Sequence, residues 1–192
     1  MATLVLTPEQ QIQRLNSILN KVEVLQKLPL NRLITAPNTK SWNVLEVLEH
    51  LRIAYSLYDK KIENALVGSP SSNLDSWSFK ARPWQRFLIE GQRPKGKKRP
   101  FKIKTLKRFE PLLDDKSLSE EASDSIFENF FTAYQLLKSS IVESRQKQMK
   151  HRPFASAIGP VVRFYLPEAF EFLICHAERH LVQIEEILAS QK

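Results

Sequence analysis

At 192 residues, with 42% hydrophobic and 26% charged residues, the chain has the composition of a soluble globular protein large enough to bury a core without disulfide or metal staples. Its 4 glycines and few alternating apolar runs argue against a sheet-rich fold, and no apolar run approaches the ~18 residues of a membrane span. The net charge of +8 is local: Lys80 to Arg108 holds twelve Lys and Arg against one acid, Glu90, so the remainder of the chain is acidic.

Thr7-Pro8-Glu9 reads as a helix start, with Thr7 as N-cap and Pro8 at the first helical position. Ile12, Leu15, Leu19, Val22 and Leu25 mark one face of a helix over 8–27. Pro29 and Pro37 make 28–40 a connection. Trp42-Asn43-Val44-Leu45-Glu46 opens a second helix, in which Asn43 and Glu46 form a capping box and Trp42 and Val47 a hydrophobic staple. The stripe Val44, Val47, Leu48, Leu51, Tyr55, Tyr58 and Ile62 continues to about Leu66, where Gly68 and Pro70 end it. His50 lies on the shoulder of that stripe, where it can face a neighbouring helix.

Residues 67–117 are too long for a bundle turn and form a basic crossover insertion. Its aromatic part, Leu74 to Ile89, is expected to pack as a short helix or turn; Gly91 to Arg99 is expected to be solvent-exposed, and Pro100 to Phe109 extended. Ser117-Leu118-Ser119-Glu120 reads as another capping box, opening a helix from Leu118 to Lys147 on the stripe Ile126, Phe127, Phe130, Tyr134, Leu137 and Ile141. Lys150 to Leu166, with Pro153, Gly159 and Pro160, is a loop. Pro167 starts a last helix running to about Ala189. Four long helices, each with one apolar stripe, predict an all-α four-helix bundle with a long crossover between its second and third helices, in one domain over 1–192.

The last helix carries His176-Ala177-Glu178-Arg179-His180-Leu181-Val182-Gln183. Histidines four apart lie on one face of a helix about one turn apart, and His180 falls near the middle of the apolar face. Buried imidazoles need hydrogen bonds or a metal, so the pair reads either as two hydrogen-bonded core histidines or as two metal ligands awaiting a third. His50, on a helix and beside an apolar face, is the best third ligand; His151, in Lys150-His151-Arg152, reads as surface. Three histidines with open coordination positions suit a catalytic site. Gln183 is a candidate to orient a ligand or a bound water, and Glu46 a candidate general base or acceptor for His50, although the cap already accounts for Glu46. Cys175 is rotated about 100° from His176 and reads as a packing residue in a chain with no possible internal disulfide, which suits a reducing compartment or simply no need of a disulfide. The segment 80–108 offers charge and, in Trp77, Phe79, Trp84 and Phe101, stacking surfaces. It reads as a solvated loop, as a nucleic-acid or acidic-partner surface on a non-enzymatic binding module, or as an anion-holding strip (Lys97, Lys98, Arg99) over the site.

Two of these stretches together carry a family resemblance. Trp42-Asn43-Val44-Leu45-Glu46-Val47-Leu48-Glu49-His50-Leu51 resembles the W-[ST]-x-x-E-x-x-x-H-L helix start of the DinB/YfiT-like bundles, with Asn43 where Ser or Thr is usual. His176 to Gln183 is similar to their closing H-x-x-R-H-x-x-Q segment. The resemblance implies a four-helix bundle with a long crossover and a divalent metal, nickel or zinc, held by His50, His176 and His180. It also implies a metal-dependent hydrolase, or a transferase of low-molecular-weight thiols, acting on a small electrophilic substrate. A homodimer and a cytoplasmic location without membrane contact, for which the start MATLVLTPEQ shows no signal-peptide pattern, complete the expectations; the basic crossover lies outside the matched motifs.

Overall fold

The computed structural model describes residues 3–72, 77–100, 104–113 and 118–191. In chain order the elements are β1 (Val5–Leu6), α1 (Pro8–Gln26), α2 (Leu30–Ile34), α3 (Val44–Val67), β2 (Phe79–Lys80) and α4 (Pro83–Gln92). A 3₁₀ turn (Lys107–Phe109), α5 (Glu120–Ser144), β3 (Phe154–Ser156), β4 (Gly159–Phe164) and α6 (Leu166–Ser190) follow. The four long helices form the expected bundle: α1 and α3 each pack against both α5 and α6, and α4 lies along α6. The core between them is aliphatic and aromatic, with Leu15, Leu48, Tyr58, Phe127, Phe130, Tyr134 and Phe170 all fully buried. Among the described residues no helix is long and apolar enough to cross a membrane.

The helix starts follow local chemistry. The Thr7 hydroxyl accepts from the Gln10 N–H at 3.3 Å, with Pro8 next in the chain. At α3, Asn43 Oδ1 accepts from the Glu46 N–H at 2.9 Å and Glu46 Oε2 from the Asn43 N–H at 2.8 Å, a reciprocal capping box. Gly68 ends α3 in the right-handed region, φ −76°. Here Pro70, two residues on, stops the helix and no left-handed residue is needed.

Four sequence expectations need correction. The connection 28–40 contains the one-turn helix α2 (Leu30–Ile34), which begins just after Pro29 without a side-chain cap and whose five residues are too few to display a period. α5 is capped by Ser119, which accepts from the Ala122 N–H at 3.2 Å; Ser117, the expected cap, lies outside the described residues. The loop 150–166 holds an antiparallel hairpin, β3 against β4, with Phe154 opposite Phe164 and a register shift between Ala155 and Ser156. The Tyr58 hydroxyl and Ser156 Oγ are hydrogen-bonded, which pins this hairpin to α3.

The fourth correction concerns the crossover. Its aromatic part packs as the expected short helix, α4, but also adds β2, which pairs with β1; Leu74, where the expected stretch began, is outside the described residues. Only residues 95–98 of the stretch 91–99 are exposed. Arg82 delivers its backbone N–H (3.0 Å) and guanidinium Nη2 (2.6 Å) to the fully buried Glu168 carboxylate at the start of α6, which also accepts from the Tyr165 N–H at 3.0 Å. Arg93 Nη2 donates to Glu171 Oε1 at 2.7 Å. Arg14, from α1, is paired to the same Glu171 oxygen and reaches Glu178 Oε2 at 2.6 Å. These pairs bind the crossover and α1 to α6. Between Pro100 and Phe109 the expected extended run gives way at its end to the 3₁₀ turn, residues 101–103 being outside the described set.

Candidate metal centre

The bundle brings His50 of α3 against His176 and His180 of α6, with one ring nitrogen from each lying within 4.8 Å of the others. Nε2 of His176 is 3.3 Å from Nε2 of His50 and 3.2 Å from Nε2 of His180. The i, i+4 spacing on α6 stacks two rings on one face, and the shoulder position of His50 turns it inward to 3% exposure.

The outer nitrogens decide what the inner ones offer. His50 Nδ1 lies 2.7 Å from the carbonyl oxygen of Phe109. A carbonyl only accepts, so Nδ1 carries the hydrogen and Nε2 is bare. His180 Nδ1 lies 2.9 Å from Gln183 Oε1, which also receives Arg99 Nη1 at 2.8 Å. The same reasoning makes His180 Nε2 a lone pair. His176 Nε2 therefore faces two acceptors, and even as an N–H it answers only one of them. A cation that accepts all three lone pairs removes the conflict, so the donor set fits a divalent metal better than a hydrogen-bonded cluster.

The protonation state agrees with the geometry. Burial, and then proximity to the titratable His50 and to Arg179, pushes His176 down to about 3. Burial and the neighbouring histidines hold His180 well below its ordinary value. Burial lowers His50 as well, partly offset by its bond to the Phe109 carbonyl. All three are neutral imidazoles near pH 7, the form that ligates.

Aromatic rings wall the cluster. Trp42, expected to staple Val47, lies 4.9 Å from the His50 ring, centroid to centroid, and Phe172 stacks on His176 at 6.4 Å with 4° between planes. The Phe109 carbonyl and the Trp42 ring are parts of the site that sequence reading missed. The signal for Trp42 was its place just before the α3 cap; nothing local marked Phe109.

The other candidates are placed as follows. Gln183 touches His180 directly. Glu46 serves the α3 cap, and the acceptor facing His50 Nδ1 is Phe109. Lys97 and Lys98 are exposed on a tight turn in which Lys95 and Lys98 exchange backbone hydrogen bonds of 2.9 and 3.1 Å. Arg99, the next residue, turns inward to Gln183 and to Glu186, whose Oε2 is 2.5 Å from Nη2. Cys175 is fully buried; burial, reinforced by the Glu171 carboxylate, pushes its thiol up to about 12. His151 is exposed. Of the proposed stacking aromatics, Trp77 and Phe79 are buried, Phe101 is outside the described residues, and Trp84 is exposed in a stack with Phe87 at 5.7 Å. With Arg82, Arg93 and Arg99 paired to acids of α6, three of the basic charges in 80–108 face the bundle.

No protein-family model matches the chain, and no curated protein does. The fold is similar to that of a solved structure, YfiT from Bacillus subtilis, described as a probable metal-dependent hydrolase with an unusual four-helix bundle topology. The two share 16% sequence identity with a TM-score of 0.53, over 94% of this chain and 85% of the other. The chain thus has a YfiT-like helical-bundle fold, together with a three-histidine cluster.

Proposed function

We propose that the protein is a metal-dependent enzyme acting on a small electrophilic substrate, a hydrolase or a transferase of a low-molecular-weight thiol. His50, His176 and His180 are its metal ligands, and nickel or zinc is the ion that suits three imidazoles. The observation that supports this reading is the convergence of three neutral Nε2 atoms, two of them bare by the hydrogen bonds on their outer nitrogens. When bound, such an ion supplies Lewis acidity and lowers the pKa of a water or thiol beside it.

The chain's own contribution is orientation and exclusion. The Phe109 carbonyl and the Gln183 amide each hold one ring by its outer N–H and keep the inner lone pairs aimed at one point. Trp42 and Phe172 cover the rings and keep bulk water from competing for them. Lys97 and Lys98, on the turn that leads into Arg99, add positive potential that favours an anionic substrate or a thiolate. A described site made only of imidazoles leaves the attacking group to water or to an added thiol, which is why both reactions belong to the proposal. The similarity to a probable metal-dependent hydrolase favours water.

Metal content of purified protein after exposure to zinc or nickel tests the proposal, with His50→Ala and His176→Ala as controls. One equivalent is expected in the wild type and much less in either variant. A wild type that takes up no stoichiometric divalent metal sinks it. Turnover of small esters, amides and epoxides by the loaded protein, with and without an added thiol, then separates hydrolase from transferase.

A further inference from the structure

We propose that Arg99 is a positioning residue of the three-histidine centre: it fixes the orientation of the Gln183 amide, and through it the tautomer of His180. The inference rests on reading the triad as a metal centre, and adds a residue of the basic crossover that lies outside both sequence motifs.

A carboxamide presents either an oxygen that accepts or a nitrogen that donates. If Gln183 turned its NH₂ to His180, Nδ1 would have to accept and the ring hydrogen would move to Nε2, blocking the lone pair aimed at His50 and His176. Nothing in α6 itself forbids that flip. Arg99 does, because a guanidinium has only N–H groups and its Nη1, 2.8 Å away, requires an oxygen at that place. The oxygen it selects is the one 2.9 Å from His180 Nδ1. His50 needs no such device, since its partner is a backbone carbonyl that cannot donate.

Arg99 is itself held on several sides. Glu186 takes Nη2 at 2.5 Å and Nε at 3.3 Å. The next residue, Pro100, accepts from Arg179 Nη1 at 2.6 Å. The chain arrives through a tight turn in which Gly96 has φ 59°, a left-handed conformation that glycine adopts without steric cost. Arg179 and Gln183 thus anchor the crossover on either side of His180 along α6.

The chain has 4 histidines, so long-range ¹H–¹⁵N correlation spectra of the metal-free protein above pH 7 can report the His180 tautomer, assigned by the His180→Ala variant. The wild type is expected to show the hydrogen on Nδ1. Arg99→Met, which keeps the methylene stem, is expected to move population toward Nε2–H and to weaken zinc binding about tenfold by calorimetry. A carboxylate accepts at both oxygens, so Gln183→Glu/Arg99→Met is expected to restore the Nδ1–H form without any guanidinium. Arg99→Met with an unchanged tautomer overturns the proposal. So does a double variant that stays shifted, because the effect would then come from the shape of the turn. The tautomer is read without metal: a wild type that shows Nδ1–H but takes up no zinc refutes the metal centre and not the Arg99 relay.

Discussion

His50 and His176 meet through their Nε2 atoms at 3.3 Å, although they lie 126 residues apart on different helices. Their contact exists only in the folded bundle, so a ligand that bridges them stabilises the native state alone. At a hundredfold excess of free zinc or nickel over Kd, linkage gives about 2.7 kcal/mol. For a chain of this size that corresponds to roughly 5–10 °C in Tm. Thermal denaturation should show this shift in the wild type, its reversal by chelator, and its absence in His50→Ala.

Acid should weaken the link between α1, the crossover and α6. Glu171 is buried, which alone would raise its pKa, but Arg14 and Arg93 more than offset burial and hold it below the ordinary glutamate value of 4.5. As pH falls, the unfolded carboxyl takes its proton first. The stability Glu171 contributes is therefore full above 4.5 and is lost as pH falls through the lower native value. Urea titrations across pH 3–7 should show the difference between wild type and Glu171→Gln narrowing below about 4.5. A constant difference would count against the pairing.

Cys175 should be inert in the native protein. It is fully buried and its thiol is pushed up to about 12 by burial and by Glu171, so almost no thiolate is present near neutral pH. A thiol-specific disulfide reagent should label it only after denaturation. Rapid labelling of the folded chain would contradict the packing around α6.

Arg82→Ala leaves the Glu168 carboxylate, itself 0% exposed, without its guanidinium. Stranding a buried charge costs about 3–5 kcal/mol. Arg82 is partly exposed, so the lower end is expected, read as a lower urea midpoint. Glu168→Gln in the same background should recover part of the loss, since the neutral amide is cheaper to bury.

The long helices could be read from sequence because each rule acts within one helix: Thr7 before Pro8, Asn43 three residues before Glu46, and a single stripe on each. His176 and His180 were legible for the same reason, being one turn apart. The hairpin 154–164 was not, because Pro160 interrupts β4 and only two of that strand's hydrophobic residues, Val162 and Phe164, pack against the core. The partners of the histidines lay beyond local pattern altogether. Phe109 reaches His50 through its backbone, which leaves no mark on residue type, and Arg99 meets Gln183 across 84 residues. A cluster of basic residues in sequence reads as a charged surface, whereas three of its arginines are answered by acids arranged along α6.

Arg82, Arg93 and Arg99 meet α6 at Glu168, Glu171 and Glu186, in the same order along both segments. Eighteen residues of helix separate the first and last of these acids, about 27 Å at ~1.5 Å per residue. The crossover therefore works as a ruler laid against the helix. Surface connections usually tolerate changes of length, but adding or removing residues between Arg82 and Arg99 would put the arginines out of step with their acids and draw Arg99 away from Gln183. In this chain the length of a loop helps to set the chemistry of a histidine.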